Sequence, residues 1–109
     1  MMSQEVPVEG QIVYGVWGYE ATFYEFYKVV SFNGGWAKFQ KVEKNFVESQ
    51  EQFPSVVGVI PSEEPIGEVF KRKVKFNTYG WCAKGANEYE GIVGIWQGEP
   101  KMQSASGTY

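Results

Sequence analysis

The feature that most constrains this chain is a pair of long β-prone runs, Phe23 to Phe32 and Trp36 to Val42, separated only by Asn33-Gly34-Gly35. A tight primed turn needs positive φ at its central residues, which Asn and Gly tolerate at little cost, so the runs are expected to fold back as a hairpin. Composition points the same way. The chain has no Leu, Asp or His, is rich in Val and Ile, and carries four Trp, seven Tyr and eight Phe. Branched and aromatic side chains suit a pleated, half-buried surface, whereas a helical bundle would lean on Leu and Ala.

Further strands are expected at Gln11 to Val16, Ser55 to Ile60, Val69 to Phe76, Trp81 to Ala83 and Ile92 to Trp96. Glu43 to Pro54 is polar and reads as a connection with at most one helical turn. Pro61-Ser62-Glu63-Glu64-Pro65 reads as a loop, because its prolines cannot donate to a ladder. With 109 residues, the chain fits one domain spanning 1–109, with residues 1–9 and 102–109 as flexible tails unless the latter pair as an edge strand. The expected fold is all-β, a small antiparallel barrel or sandwich of about six or seven strands.

Charge and missing residues narrow the chemistry. Thirteen carboxylates against ten basic groups leave a net charge of −3, which argues against a surface that coats polyanions all over. With neither His nor Asp, Ser-His-Asp and Cys-His arrangements are impossible, zinc lacks its ligands, and the Asp-rich calcium loop is absent. Thirteen glutamates make some carboxylate pair inevitable, so a pair alone carries no signal for glycoside hydrolysis. The expectation is a non-enzyme with no cofactor and no metal. Cys82 is the single cysteine, which excludes an intrachain disulfide and favours a reducing compartment; it reads as a small buried hydrophobe in a strand. No secretory leader or membrane-spanning segment is expected, and the expected location is the cytoplasm.

Two surfaces are candidates for binding. Val69 to Phe76 alternates so that Lys71, Lys73 and Lys75 share one face, while Phe70, Val74 and Phe76 share the other with Arg72. Lys71, Arg72, Lys73 and Lys75, with rings on neighbouring strands, have the ingredients of a single-stranded nucleic-acid groove, although alternating Lys also occurs on plain solvated strands. The second surface is the corner WGYEATFYEFY, Trp17 to Tyr27, where six of eleven residues are aromatic. Strict alternation puts rings on both faces, so one set is expected to be exposed or covered by a partner; Trp17, Tyr19, Glu20, Thr22 and Tyr24 are the partner-binding candidates.

Trp17-Gly18-Tyr19-Glu20-x-Thr22-x-x-x-Phe26-Tyr27-x-Val29 resembles the opening motif, W-G-Y-D-Q-T-N-x-x-F-Y-x-V, of a family of small uncharacterised proteins carried by bacteriophages and plasmids. Phe70-Lys71-Arg72-Lys73-Val74 and Trp96-Gln97-Gly98-Glu99-Pro100 resemble that family's F-R-R-x-V and W-D-G-x-P, in the same order. Glu20, Ala21, Phe23 and Gln97 depart from the pattern. The resemblance implies a phage or mobile-element accessory protein in a bacterial host and brings no established activity. Binding of a host or phage protein, with inhibition of a bacterial function as one such role, is the first expectation. A single-stranded nucleic-acid-binding barrel and a minor virion or assembly component are the alternatives, and self-association is left open.

Overall fold

The structure is a computed structural model, and it describes residues 6–18, 22–47, 56–78, 80–85 and 90–104. These residues are all-β, without a helix: β1 (Ile12–Trp17), β2 (Phe23–Asn33), β3 (Trp36–Val47), β4 (Val56–Pro65), β5 (Phe70–Lys73), β6 (Lys75–Asn77), β7 (Gly80–Lys84), β8 (Gly91–Ile95) and β9 (Lys101–Ser104). Among them no helix is long and apolar enough to cross a membrane.

The β2–β3 hairpin forms where the sequence places it. Asn33 pairs with Trp36, and the two-residue loop between them is Gly34 and Gly35, at φ 61° and 85°. Asn33 is therefore the last strand residue, and both positive-φ positions fall on glycine, where they carry no steric cost.

β1 and β8 extend the hairpin on one side, and β7 follows β8; on the other side β5 pairs with the first half of β3. β6 pairs with β7, and only Val74 separates β6 from β5. The segment 70–77 thus touches both margins of the sheet, which curls into a closed barrel of β1, β2, β3, the kinked β5–β6 segment, β7 and β8. Val74 makes the kink: its side chain is buried and its amide donates to the Gly35 carbonyl at 2.9 Å. The barrel core comprises Val13, Tyr27, Val29, Ala37, Phe39, Val74, Trp81, Ala83 and Ile92.

The second half of β3 pairs instead with β4, which pairs with β9, and these strands fold against the opposite face of the β1–β2–β3 wall. A second, smaller core forms there around Phe26, Val42 and Val59, with Ile12, Tyr14, Tyr24 and Trp96 packed against it. This explains the rings on both faces of β2. Tyr27 lies in the barrel and Phe26 in the second core, and the covering layer comes from the same chain rather than from a partner. After the irregularity between Val29 and Ser31, the parity flips and Phe32 rejoins the barrel side.

Several expectations are corrected. β3 does not stop at Val42 but runs to Val47, so the polar residues 43–47 are strand; residues 48–54 of the expected connection lie outside the described residues. Pro61 to Pro65, expected as a loop, is the second half of β4. β9 covers β4 only over Val56–Val59, so from Pro61 onward the side of β4 away from β3 has no ladder to supply, and an edge strand tolerates proline. Met102 to Ser104 are paired in β9, the edge-strand alternative to a loose tail. Phe76 keeps the face it was expected to share with Val74, opposite the core residue Trp81, but stands 41% exposed there.

Candidate functional site

The barrel's outer face over β3 and β5 is where lysines gather. Lys71 lies opposite Lys38, and Lys73 opposite Trp36. Alternation on both strands sends all four side chains outward: Trp36 is 45% exposed, and the Lys71 ammonium sits 5.3 Å from its ring centroid. Lys75 on β6, opposite Cys82, and Lys84 on β7 are exposed as well and continue the positive region across the seam. Like charges directly opposite each other on a sheet are destabilising, so the Lys38–Lys71 pair is a local cost that the contact of Lys71 with the Trp36 ring offsets only in part. Among the described residues, the only ion pairs are those of Glu25 with Lys41 at 3.2 Å and with Lys44 at 3.1 Å. None of the five outward lysines is neutralised in this way.

Arg72 behaves differently from its neighbours. It lies on the Phe70 side, as the alternation predicts, with its guanidinium carbon 4.7 Å from that ring. Its Nε donates to the Gly85 carbonyl at 3.2 Å and one terminal nitrogen donates to the Lys71 carbonyl at 3.0 Å, so it ties β5 to the end of β7. Arg72 is first a seam residue. Of the four residues expected to contact nucleic acid, Lys71 and Lys73 stand together beside Trp36, and Lys75 lies past the kink. Lys38 and Trp36 were missed by the sequence reading. No local signal places them there, because the pairing of β3 with β5 that sets their alternate residues beside the lysines is a matter of sheet order.

The aromatic corner does not form one surface. Tyr19 and Glu20 lie outside the described residues. Trp17 is 39% exposed, stacks on Phe23 with centroids 4.6 Å apart, and donates its indole N–H to Glu25 at 3.0 Å. Thr22 is exposed. Tyr24 belongs to the second core, 5.9 Å from Tyr14, with the Lys101 ammonium 4.1 Å from the Tyr14 ring and 6.0 Å from its own. Trp17 and Tyr24 thus point to opposite sides of the β1–β2 ladder.

Inside the barrel, the structure brings together two carboxylates that no spacing rule singled out. Glu25 is 8% exposed and Glu90 3% exposed. Burial pushes Glu25 up, but the Trp17 hydrogen bond and the Lys44 and Lys41 charges together outweigh it and hold the carboxyl below its ordinary value of 4.5. Glu90 accepts a hydrogen bond from the Tyr27 hydroxyl. Burial, and then repulsion from Glu25, raises Glu90 from 4.5 to about 7. Environments that drive two carboxyls apart in this way are a recognised arrangement in acid–base chemistry, but here both groups are enclosed in the core. The available signal was Glu25 itself, a charge on the same strand face as Tyr27 and Val29.

Cys82 is half-buried rather than fully buried. Among the described residues, no group of three or more His, Cys, Asp or Glu side chains is placed to hold a metal ion. No family model matches the chain, and neither the curated proteins nor the solved structures contain a significant match to it.

Proposed function

We propose that the chain is a binding protein, not an enzyme, that engages single-stranded nucleic acid on the outer face formed by Trp36, Lys38, Lys71, Lys73 and Lys75. The observation that carries this reading is the cluster of outward lysines around an exposed indole, none of them in an ion pair among the described residues. Cations spaced along a strand attract phosphates, and a ring offers a stacking surface for bases regardless of sequence. Lys71 and Lys73, two residues apart, are separated by roughly 7 Å along the strand, a spacing suited to successive charges on an extended polyanion. The net charge of −3 does not oppose this, because the attraction is local and falls off over about 10 Å at moderate salt.

Fluorescence titration of labelled oligothymidylate across a salt series tests the reading. Affinity should fall steeply with salt, and Lys71→Gln, Lys73→Gln and Lys75→Gln together should reduce the logarithmic salt slope by about 2, at roughly 0.7 per phosphate contact. Trp36→Ala should weaken binding by about 1–3 kcal/mol with the slope unchanged. Binding that ignores salt, or no binding in low salt, rejects it.

A second reading, docking onto a host or phage protein in a bacterial cytoplasm, draws support from Trp17, whose exposed ring sits at the corner that resembles the phage family's motif. Under that reading, Trp17→Ala abolishes capture of a lysate protein while oligonucleotide binding is absent in the parent.

A further inference from the structure

Where β5–β6 meets β7–β8, the outer face is hollowed into a cavity of about 340 Å³. Among the described residues, its uncharged lining is half-buried Cys82 and exposed Val93 with Ala83 and Ile92 buried behind them, and its charged lining is Arg72, Lys73, Lys75 and Lys84, with no carboxylate. Val93 is the residue that breaks the regular β1–β8 register, where Tyr14 pairs with Gly94 and Gly15 with Ile92, and it stands 53% exposed on the cavity wall. Gly91 leaves the adjoining wall open, since a Cβ there would meet nothing closer than a Val93 methyl at 3.8 Å.

We infer that this cavity is a subsite for a single nucleotide unit, with the base against an apolar floor formed by Val93 and Cys82 and the phosphate among Lys73, Lys75 and Lys84. The volume lies at the lower end of small-ligand sites, which suits one flat ring system with its substituents and excludes a peptide helix. A lining whose described charges are all positive selects an anion, and several cations around one hollow favour a group bearing more than one negative charge over a single carboxylate. Bare phosphate would leave the apolar floor unused, because burying that floor requires an apolar surface on the ligand. Arg72 is held by the Gly85 and Lys71 carbonyls, so part of the positive wall is fixed before any ligand arrives. Lys73 belongs both to this cavity and to the Trp36 face, so a strand lying along Lys71 and Lys73 runs directly into the hollow. In that respect the inference deepens the proposed function and rests on it. The nucleotide unit has two sources, a free mononucleotide or the phosphorylated end of a strand.

Cys82 is the only cysteine and lines the cavity, which makes it a built-in reporter. The rate of its modification by a small neutral thiol reagent is measured with and without thymidine monophosphate. The nucleotide should slow labelling by about tenfold at ten times its Kd, following the factor 1 + [L]/Kd. Lys84→Glu and, separately, Lys75→Gln should weaken that protection. The amide chemical shifts of Ala83, Ile92 and Val93 report the same event if the thiol reacts too slowly. A strand end as occupant predicts that an oligonucleotide with a terminal phosphate protects better than its dephosphorylated form; a free mononucleotide as occupant predicts that it protects better than either. Three results overturn the inference: no protection and no shift at millimolar nucleotide, equal protection by inorganic phosphate, or equal protection by a medium-chain fatty acid. Failure of the cavity alone leaves the salt-dependent oligonucleotide titration intact, whereas failure of the proposed function abolishes that titration, so the two are distinguishable.

Discussion

Glu90→Gln should make the protein more stable at pH 8 while leaving it nearly unchanged near pH 4.5. Glu90 is buried, faces Glu25 across the barrel interior, and has its carboxyl raised from 4.5 to about 7. Between these two values the folded chain holds a proton that the unfolded chain has released. Stability therefore falls as pH rises, by about 1.4 kcal/mol per unit, and levels off once pH passes the folded value. Across the window this amounts to about 3 kcal/mol, or roughly 15 °C in Tm for a domain of this size. Glu25 acts in the opposite sense. Its folded value lies below 4.5, so its contribution is complete above the unfolded value and disappears as pH falls through the folded one. The two together place the stability maximum in mildly acidic solution, where Glu25 is ionised between Lys41 and Lys44 and Glu90 is neutral beside Tyr27. Glutamine keeps the acceptor for the Tyr27 hydroxyl but does not titrate. Urea denaturation of both proteins at a series of pH values measures the difference, with other ionisable groups cancelling in the comparison. A gap that stays constant from about pH 5 to pH 8 refutes the reasoning.

Other outcomes follow from close packing and from the exposed lysines. Gly15→Ala should destabilise by about 1–3 kcal/mol, measured by urea denaturation, because its Cβ would lie 2.9 Å from the Gly91 carbonyl oxygen, a backbone atom that cannot swing away. Lys38→Glu places a carboxylate opposite Lys71 and should raise stability by about 0.2–1 kcal/mol while weakening oligonucleotide binding, so the melting curve and the titration move in opposite directions.

How far the fold could be read from the residues depended on where side-chain periodicity and turn chemistry agreed. The Gly34-Gly35 hairpin was legible because both signals coincide, and Phe70 to Lys73 because a basic residue alternating with an apolar or tethered one marks two faces. Pro61 to Pro65 was misread because proline reports on one missing donor, whereas strand membership there depends on which side of β4 lacks a neighbour, a fact of sheet order. Residues 43–47 look like loop for a related reason. Lys44, polar in sequence, is drawn inward by Glu25 and donates to the Tyr24 carbonyl at 2.8 Å. As for the site, the lysine face was legible in one strand only. Trp36 and Lys38 join it through strand pairing, and the cavity through barrel closure, neither of which is local in the chain.

The distribution of the ten basic residues bears directly on function. Lys41 and Lys44 are committed to Glu25, and Lys101 lies over Tyr14, so these serve packing and the interior charge. Lys28 stands exposed on β2 opposite Gln40. Lys38, Lys71, Lys73, Lys75 and Lys84 lie on β3, β5, β6 and β7, facing water, while Arg72 closes the seam beneath them. A chain with thirteen glutamates had partners available for those lysines, and a single exposed pair would contribute only about 0–1 kcal/mol. Stability therefore exerts little pull on how surface charges are arranged, and it slightly disfavours Lys38 opposite Lys71. An arrangement that folding rewards only through the Lys71–Trp36 contact, set beside a hollow whose charged lining among the described residues is wholly positive, is better explained by an anionic ligand than by packing. The Lys38→Glu variant separates these explanations: a gain in stability together with a loss of binding identifies the lysine cluster as a feature retained for its ligand.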